Sequence, residues 1–382
     1  MLGAGMLAAC STIVPKAPVA VPEQRPVSRP EPARPDSGVE TGIPRDTQRN
    51  RVALLVPLSG ANAGVGQSIA NATMLAVLDT GTDKVRITNY DTAGGAAAAA
   101  RRAIAEGAQL ILGPLLAEDV RAVAPIARAA NVPVLSFSND ASVAGEGVYL
   151  MGYTPAQSIG RVVDYARSRG VTSFAGLVPN GLYGERASTA FLRAVEGAGG
   201  QVVSLQTYAR SAGGMAAAVT RLNAKAPYGA VLIADGGASA ATAAPLVRRG
   251  SGASTRILGT ELWNSETGIA ARPALAGAWF ASVADTLYRQ YAGKYRARFS
   301  AGPYRLSSLG YDAVLLTVRI ARDWPVGRPF PEARLRDSDG FSGIDGAFRF
   351  GRDNIAERAL EVQEIRGGTT VTVSPAPAGF TR

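Results

Sequence analysis

The chain has 382 residues, 47% of them hydrophobic, which is enough for one large core or two moderate ones. It contains no histidine and a single cysteine, Cys10, so Ser-His-Asp and Cys-His catalysis, histidine-zinc sites, an internal disulfide and a multi-cysteine metal cluster are excluded within it. The net charge of +10 comes from basic residues that are overwhelmingly Arg, spread through linker, helices and loops without a basic-aromatic stripe; this fits a solvated surface with transient attraction to anionic envelope polymers rather than a nucleic-acid site.

In chain order the first feature is Leu7-Ala8-Ala9-Cys10, small residues before a cysteine in an apolar stretch, which resembles a bacterial lipobox and makes Cys10 the expected lipidation site. Residues 1–10 lack the basic n-region of a full secretory signal, so the expectation is a signal shortened at its start. In residues 11–50 the prolines Pro15, Pro18, Pro22, Pro26, Pro30, Pro32 and Pro35 lie too close together for a helix or a central strand. A disordered tether is expected there, reaching as far as about 100 Å at ~3.1 Å per residue. No later stretch reaches the ~18 apolar residues of a spanning helix.

From Arg51 the pattern becomes regular. Short apolar strands are expected at Val52–Val56, Val85–Asn89, Leu110–Gly113 and Val132–Ser136, separated by helices over Gln67–Leu78, Ala96–Glu106 and Glu118–Ala130. A second run repeats the rule, with strands near Phe174–Val178, Val202–Thr207, Ala230–Ala234 and Arg256–Gly259 between helices near Ala156–Arg169, Tyr183–Ala198, Met215–Ala226 and Ser239–Arg249. Continuous apolar strands alternating with helices of this length predict an α/β fold of two lobes, each a doubly wound, mostly parallel sheet with helices on both faces. The lobes join at Val148–Thr154, and ligands are expected in the cleft between them, beyond the carboxyl ends of the strands. After a connecting strand at Trp279–Ala284, helices near Leu287–Phe299 and Ser307–Trp324 are expected to complete the first lobe, and a β-hairpin over Phe341–Val373 the second. The expected division is therefore residues 51–150 with 285–328 in lobe 1, residues 151–284 with 329–374 in lobe 2, and a tail at 375–382.

Val52-Ala53-Leu54-Leu55-Val56-Pro57-Leu58-Ser59-Gly60, Ile111-Leu112-Gly113-Pro114, Val132-Pro133-Val134-Leu135-Ser136, Tyr183-Gly184-Glu185 and Leu309-Gly310-Tyr311-Asp312-Ala313 resemble the type I periplasmic-binding fold of the leucine/isoleucine/valine-binding proteins. Gly113-Pro114-Leu115-Leu116, Leu135-Ser136-Phe137-Ser138-Asn139, Gly152-Tyr153-Thr154-Pro155, the run Gly340 to Gly346 and Glu357-Arg358 are similar, more narrowly, to the LpoA (LppC-type) penicillin-binding protein activators. That resemblance covers Arg51 to about Val373. It implies a lipoprotein on the periplasmic face of the outer membrane that stimulates a bifunctional peptidoglycan synthase, and Ser11 after Cys10 fits outer-membrane sorting. The helical-repeat domain that precedes this one in the best-known activators has no counterpart here, so its role does not carry over.

The candidate ligand residues are Ser59, Ser138, Asn139, Tyr183, Asp235 and Glu261. The loop from Ser59 to Gly66 presents backbone N–H groups to an anion or is a plain tight turn. By position in amino-acid-binding relatives, Ser136 to Asn139 matches a hydroxyl-bearing loop and Tyr183 a stacking aromatic, while Asp235 and Glu261 supply an anionic partner or cap the cleft edge. The first-lobe serine run of those relatives is replaced by Ala117-Glu118-Asp119, which repels a carboxylate and also makes a good helix start. Trp263, Trp279 and Trp324 are either partner anchors or core. No cofactor, metal or catalytic residue is expected. The two functions in contention are a synthase-regulating lipoprotein and a substrate-binding lipoprotein of an ABC importer for amino acids or related polar molecules.

Overall fold

A computed structural model describes residues 46–377, apart from 212 and 267, together with residue 380. The expected signal, Cys10 and most of the expected tether lie outside the described residues, as does half of the expected tail.

The first lobe runs β1 (Asn50–Val56), α1 (Ala63–Thr80), β2 (Val85–Asp91), α2 (Ala96–Ala105), β3 (Leu110–Leu112), α3 (Ala117–Ala129), β4 (Val134–Ser136) and β5 (Val148–Leu150). All five strands are parallel in the order β2-β1-β3-β4-β5. The sequence of β1 shows why both faces are covered. Val52, Leu54 and Val56 join a cluster with Ile69 and Ala70 of α1, whereas Ala53 and Leu55 join one with Ala100 of α2 and Val123 of α3. A strand apolar at every position has no face left for water.

The second lobe runs α4 (Pro155–Ser168), β6 (Ser173–Pro179), α5 (Leu182–Gly197), β7 (Gln201–Tyr208), α6 (Gly214–Asn223), β8 (Ala230–Ile233), α7 (Gly237–Ser251), β9 (Arg256–Leu258) and β10 (Trp279–Ser282). The chain then returns through α8 (Thr286–Phe299) and α9 (Ser307–Ala321), both packed against α1 in the first lobe. It continues into β11 (Phe341–Gly343), β12 (Gly346–Phe350), β13 (Ala356–Arg358), β14 (Glu361–Arg366) and β15 (Thr369–Ser374). The second sheet has the order β15-β14-β10-β9-β8-β6-β7, antiparallel at β14 and β15 and parallel elsewhere.

The lobes open alike. Each first strand runs into a proline, Pro57 just after β1 and Pro179 at the end of β6, and the helix after it presses a glycine onto that proline's carbonyl. A Cβ on Gly66 would lie 1.8 Å from the oxygen of Pro57, and one on Gly184 would lie 1.7 Å from that of Pro179. Only glycine permits that approach, so the loop from Ser59 to Gly66 is a turn closed onto the strand.

The end of the chain departs from the expected single hairpin. β11, β12 and β13 form a separate antiparallel sheet whose Phe341, Phe348, Phe350 and Ala356 pack, with Phe330 and Leu335, into the first lobe's core cluster. Only β14 and β15 join the second sheet. The expected turns are where they were placed, with Gly343 opposite Gly346 and the Gly367-Gly368 pair between β14 and β15. The aromatic residues decide the difference, because the first lobe offers them an apolar surface along α9.

Candidate functional site

The chain passes between the lobes three times: after β5, after β10, and between β13 and β14. Beside these crossings lies an inter-lobe cavity of about 330 Å³. The first lobe lines it with Val65, Leu115, Leu116, Phe137 and Leu306, and the second with Glu261, Leu262 and Asn264. Asn62, Asn139, Tyr153 and Arg305 complete the wall.

Of the six expected ligand residues, Asn139 and Glu261 line this cavity. Ser59 is exposed, and its hydroxyl donates to Asp91 Oδ2 at 2.6 Å. Ser138 is buried inside its own loop, where Oγ accepts the amide of Asp140 at 3.1 Å. Asp235 is held by Arg210, whose Nη2 donates to Oδ1 at 2.9 Å and Nε to Oδ2 at 3.1 Å, by the Tyr208 hydroxyl, and by the Gly236 amide at 2.8 Å. Burial would raise the Asp235 pKa, but the bonds from Arg210, Tyr208 and Gly236 outweigh it and hold the carboxylate below its ordinary range.

Tyr183 reaches the cavity through Glu261. Its hydroxyl donates to Glu261 Oε1 at 3.0 Å and lies 3.0 Å from the hydroxyl of Thr260. The Ser158 hydroxyl donates to Glu261 Oε2 at 2.5 Å. Burial pushes the Glu261 carboxyl upward and outweighs the bonds from Ser158 and Tyr183.

The tryptophans are structural. Trp263 is fully buried and donates to the carbonyl of Asp235 at 2.9 Å; Trp324 is buried and donates to that of Arg328 at 2.7 Å. Trp279 is buried beneath the Arg256 guanidinium and donates to Glu364 at 3.0 Å.

At the crossings the sequence segments singled out above converge on one buried charged cluster. Asp345, in the turn between β11 and β12, accepts from Arg305 Nη1 at 2.8 Å, from Ser308 at 2.7 Å and from the Tyr153 hydroxyl. Arg305 also stacks over Tyr288 at 4.0 Å and lies 3.6 Å from Asp285 in the second crossing. Arg358, at the third crossing, donates to the carbonyl of Met151 in the first at 2.7 Å and lies over Tyr153 at 5.1 Å. All three connections are thereby tied to one point.

Asp312 of α9 accepts the amides of Ile344 at 2.6 Å and Asp345 at 3.3 Å. Gly343 is required beside it, because a Cβ there would lie 2.3 Å from the Asp312 carboxyl. Burial, then the neighbouring Asp345 charge, pushes Asp312 up to about 7. Asp345 is driven upward by burial too, but Arg305, Arg358, Tyr153 and Ser308 prevail and keep it ionised. Within this pair Asp312 carries the proton.

A second tie crosses the cleft at its rim. Arg186 of α5 lies 2.5 Å from Asp140, in the loop after β4, and Arg121 of α3 holds the other oxygen at 2.7 Å. Neither Arg186 nor Arg305 carried a signal in the sequence, since both are isolated arginines among many.

A putative branched-chain amino acid ABC transporter protein from Rhodospirillum rubrum superposes with a TM-score of 0.75 at 22% identity, over 85% of this chain and 100% of its own. Full-length LpoA from Haemophilus influenzae does so with a TM-score of 0.66 at 19% identity, over 86% of this chain and 60% of its own. Likenesses at these identities establish the fold, the two-lobed type I periplasmic-binding architecture. An uncharacterized protein of Rickettsia prowazekii (strain Madrid E) is 23% identical over 146 residues, 38% of this chain and 39% of that protein, so the match spans about two fifths of the curated relative. The model of the periplasmic binding protein family matches residues 50–369, and the chain belongs to that family.

Proposed function

We propose that this chain is a periplasm-facing lipoprotein that regulates a peptidoglycan synthase by direct contact, with the inter-lobe cleft left for a small effector. The observation that carries the reading is the fate of the cleft's polar groups. Ser138 and Asp235 are bonded to protein partners away from the cavity, and the first-lobe wall, where a carboxylate would be cradled, is Leu115 and Leu116. A zwitterion placed there would lose its hydration without meeting an uncompensated positive charge for its carboxylate, because Arg305 on the wall is paired with Asp345. The activator-like segments support the same reading, because they build the crossings between lobes rather than an amino-acid site. Binding without chemistry suits a chain that lacks histidine and belongs to a family of binding proteins. The second reading, a substrate-binding lipoprotein of an ABC importer, is favoured by the presence of an inter-lobe cavity of ligand size.

Glycan polymerisation and crosslinking by the cognate synthase, measured with and without the chain, test the proposal. A rate that rises and saturates with added chain is the expected result. An unchanged rate at saturation, together with tight binding of a free amino acid, would transfer the assignment to the importer reading.

The anchor is proposed at Cys10, with residues 11–50 holding the folded part away from the outer membrane. Two acyl chains at ~0.8 kcal/mol per buried CH₂ give stable attachment. Replacing Cys10 by Ala in the full-length precursor is expected to move the protein from the detergent phase to the aqueous phase; retention in the detergent phase would place the anchor elsewhere.

A further inference from the structure

We propose that the inter-lobe cavity takes an uncharged small molecule with an apolar body that carries amide or hydroxyl groups. The inference rests on the reading of the cleft as an effector site. Its first support is the wall. Val65, Leu115, Leu116 and Leu306 of the first lobe face Leu262 of the second, so most of a ligand's surface would meet hydrocarbon.

The second support is the state of the two charged residues on that wall. Arg305 is bonded to Asp345 at 2.8 Å and has Asp285 at 3.6 Å, so its charge is matched within the protein. Both carboxyl oxygens of Glu261 accept hydroxyls, from Ser158 and Tyr183. Nε and Nη2 of Arg305 have no hydrogen-bond partner among the described residues, but its charge is already matched, so a charged ligand group would be desolvated without meeting an uncompensated opposite charge.

The third support is independent of the first two. Asn62 before α1, Asn139 after β4 and Asn264 after β9 reach the cavity from three segments and both lobes. Their side chains make no hydrogen bond among the described residues. Each free amide offers two donors and an acceptor, a set suited to amides and hydroxyls rather than to ions.

Four compounds with one apolar body separate the charge classes: N-acetyl-L-leucine amide is uncharged, N-acetyl-L-leucine anionic, L-leucine amide cationic and L-leucine zwitterionic. Calorimetric titration of the full chain at pH 7 is expected to show the uncharged compound binding at least tenfold tighter than each of the others. Asn264→Ala should weaken that binding several-fold with an unchanged melting temperature, and Leu116→Asp should abolish it. Binding of leucine or of either singly charged compound as tightly as the uncharged one overturns the inference, and so does the absence of binding by all four. The synthase assay on the same preparation keeps the two readings apart. Stimulation without binding of the blocked amide sinks the cleft inference alone; binding without stimulation sinks the contact reading alone.

Discussion

Asp345→Ala is expected to lower the unfolding free energy by about 3–5 kcal/mol, the cost of stripping one partner from a buried ion pair and leaving the other charge uncompensated. Asp345 is fully buried and receives Arg305, Ser308 and Tyr153 together. Its loss leaves the Arg305 guanidinium, itself buried, with the Ser308 hydroxyl at 2.9 Å, the Tyr288 ring, and Asp285 at 3.6 Å as its acidic neighbour. Nε and Nη2 of Arg305 already lack hydrogen-bond partners among the described residues, so few directed bonds remain to absorb the change. Urea unfolding of Asp345→Leu, of Arg305→Met and of the two combined completes a double-mutant cycle. The double variant is expected to cost less than the two singles added together. A loss under about 1 kcal/mol for Asp345→Ala would show that the cluster contributes little to stability.

A second large effect is expected in the pH dependence of stability, and it belongs to Asp312. Its pKa in the folded chain is about 7 against 3.8 for an ordinary aspartate. Between those values the folded chain holds a proton that the unfolded chain has released. The contribution of Asp312 to stability therefore falls as pH rises from about 4 to about 7 and is level above that, with a span of up to ~4 kcal/mol at 1.36 kcal/mol per pH unit. Asp312→Asn removes the titrating group and gives up one acceptor for the amides of Ile344 and Asp345, at roughly 1 kcal/mol. The variant is expected to be less stable than the parent near pH 4 and to overtake it by pH 8. Chemical denaturation at both pH values measures the crossing. The difference between parent and variant isolates Asp312, because the chain has no histidine and carboxyls that burial also raises, such as Glu261 and Asp285, are present in both. Parallel curves for parent and variant across this range would mean that Asp312 is ionised in the folded state throughout.

Much of the architecture is legible in the residues because strands buried on both faces are apolar at every position, and helices of the intervening length leave few topologies open. Val52 to Val56 and Ala230 to Ile233 identify themselves in this way, as do the glycine turns at Gly343 and Gly367. β5 escaped because Val148-Tyr149-Leu150 is three residues long and runs directly into the crossing. The placement of β11 to β13 escaped because a hairpin pattern says which residues pair, not which lobe covers their aromatic face.

The site divides along the same line. The sequence itself determined what chemistry is absent, through its lack of histidine and its lone cysteine, and which segments matter, through Gly152 to Pro155, Gly340 to Gly346 and Glu357-Arg358. Only the tertiary structure decided what those segments do. Tyr153 meets Asp345 across 192 positions, Ser158 meets Glu261 across 103 and Arg305 meets Asp345 across 40. A carboxylate at a strand end has the same local sequence context whether its oxygens wait for a ligand or are held by an arginine from another loop. Hydrogen-bond partners are chosen by proximity after folding, so Asp235 could be read as a ligand group until Arg210 and Tyr208 were found on it.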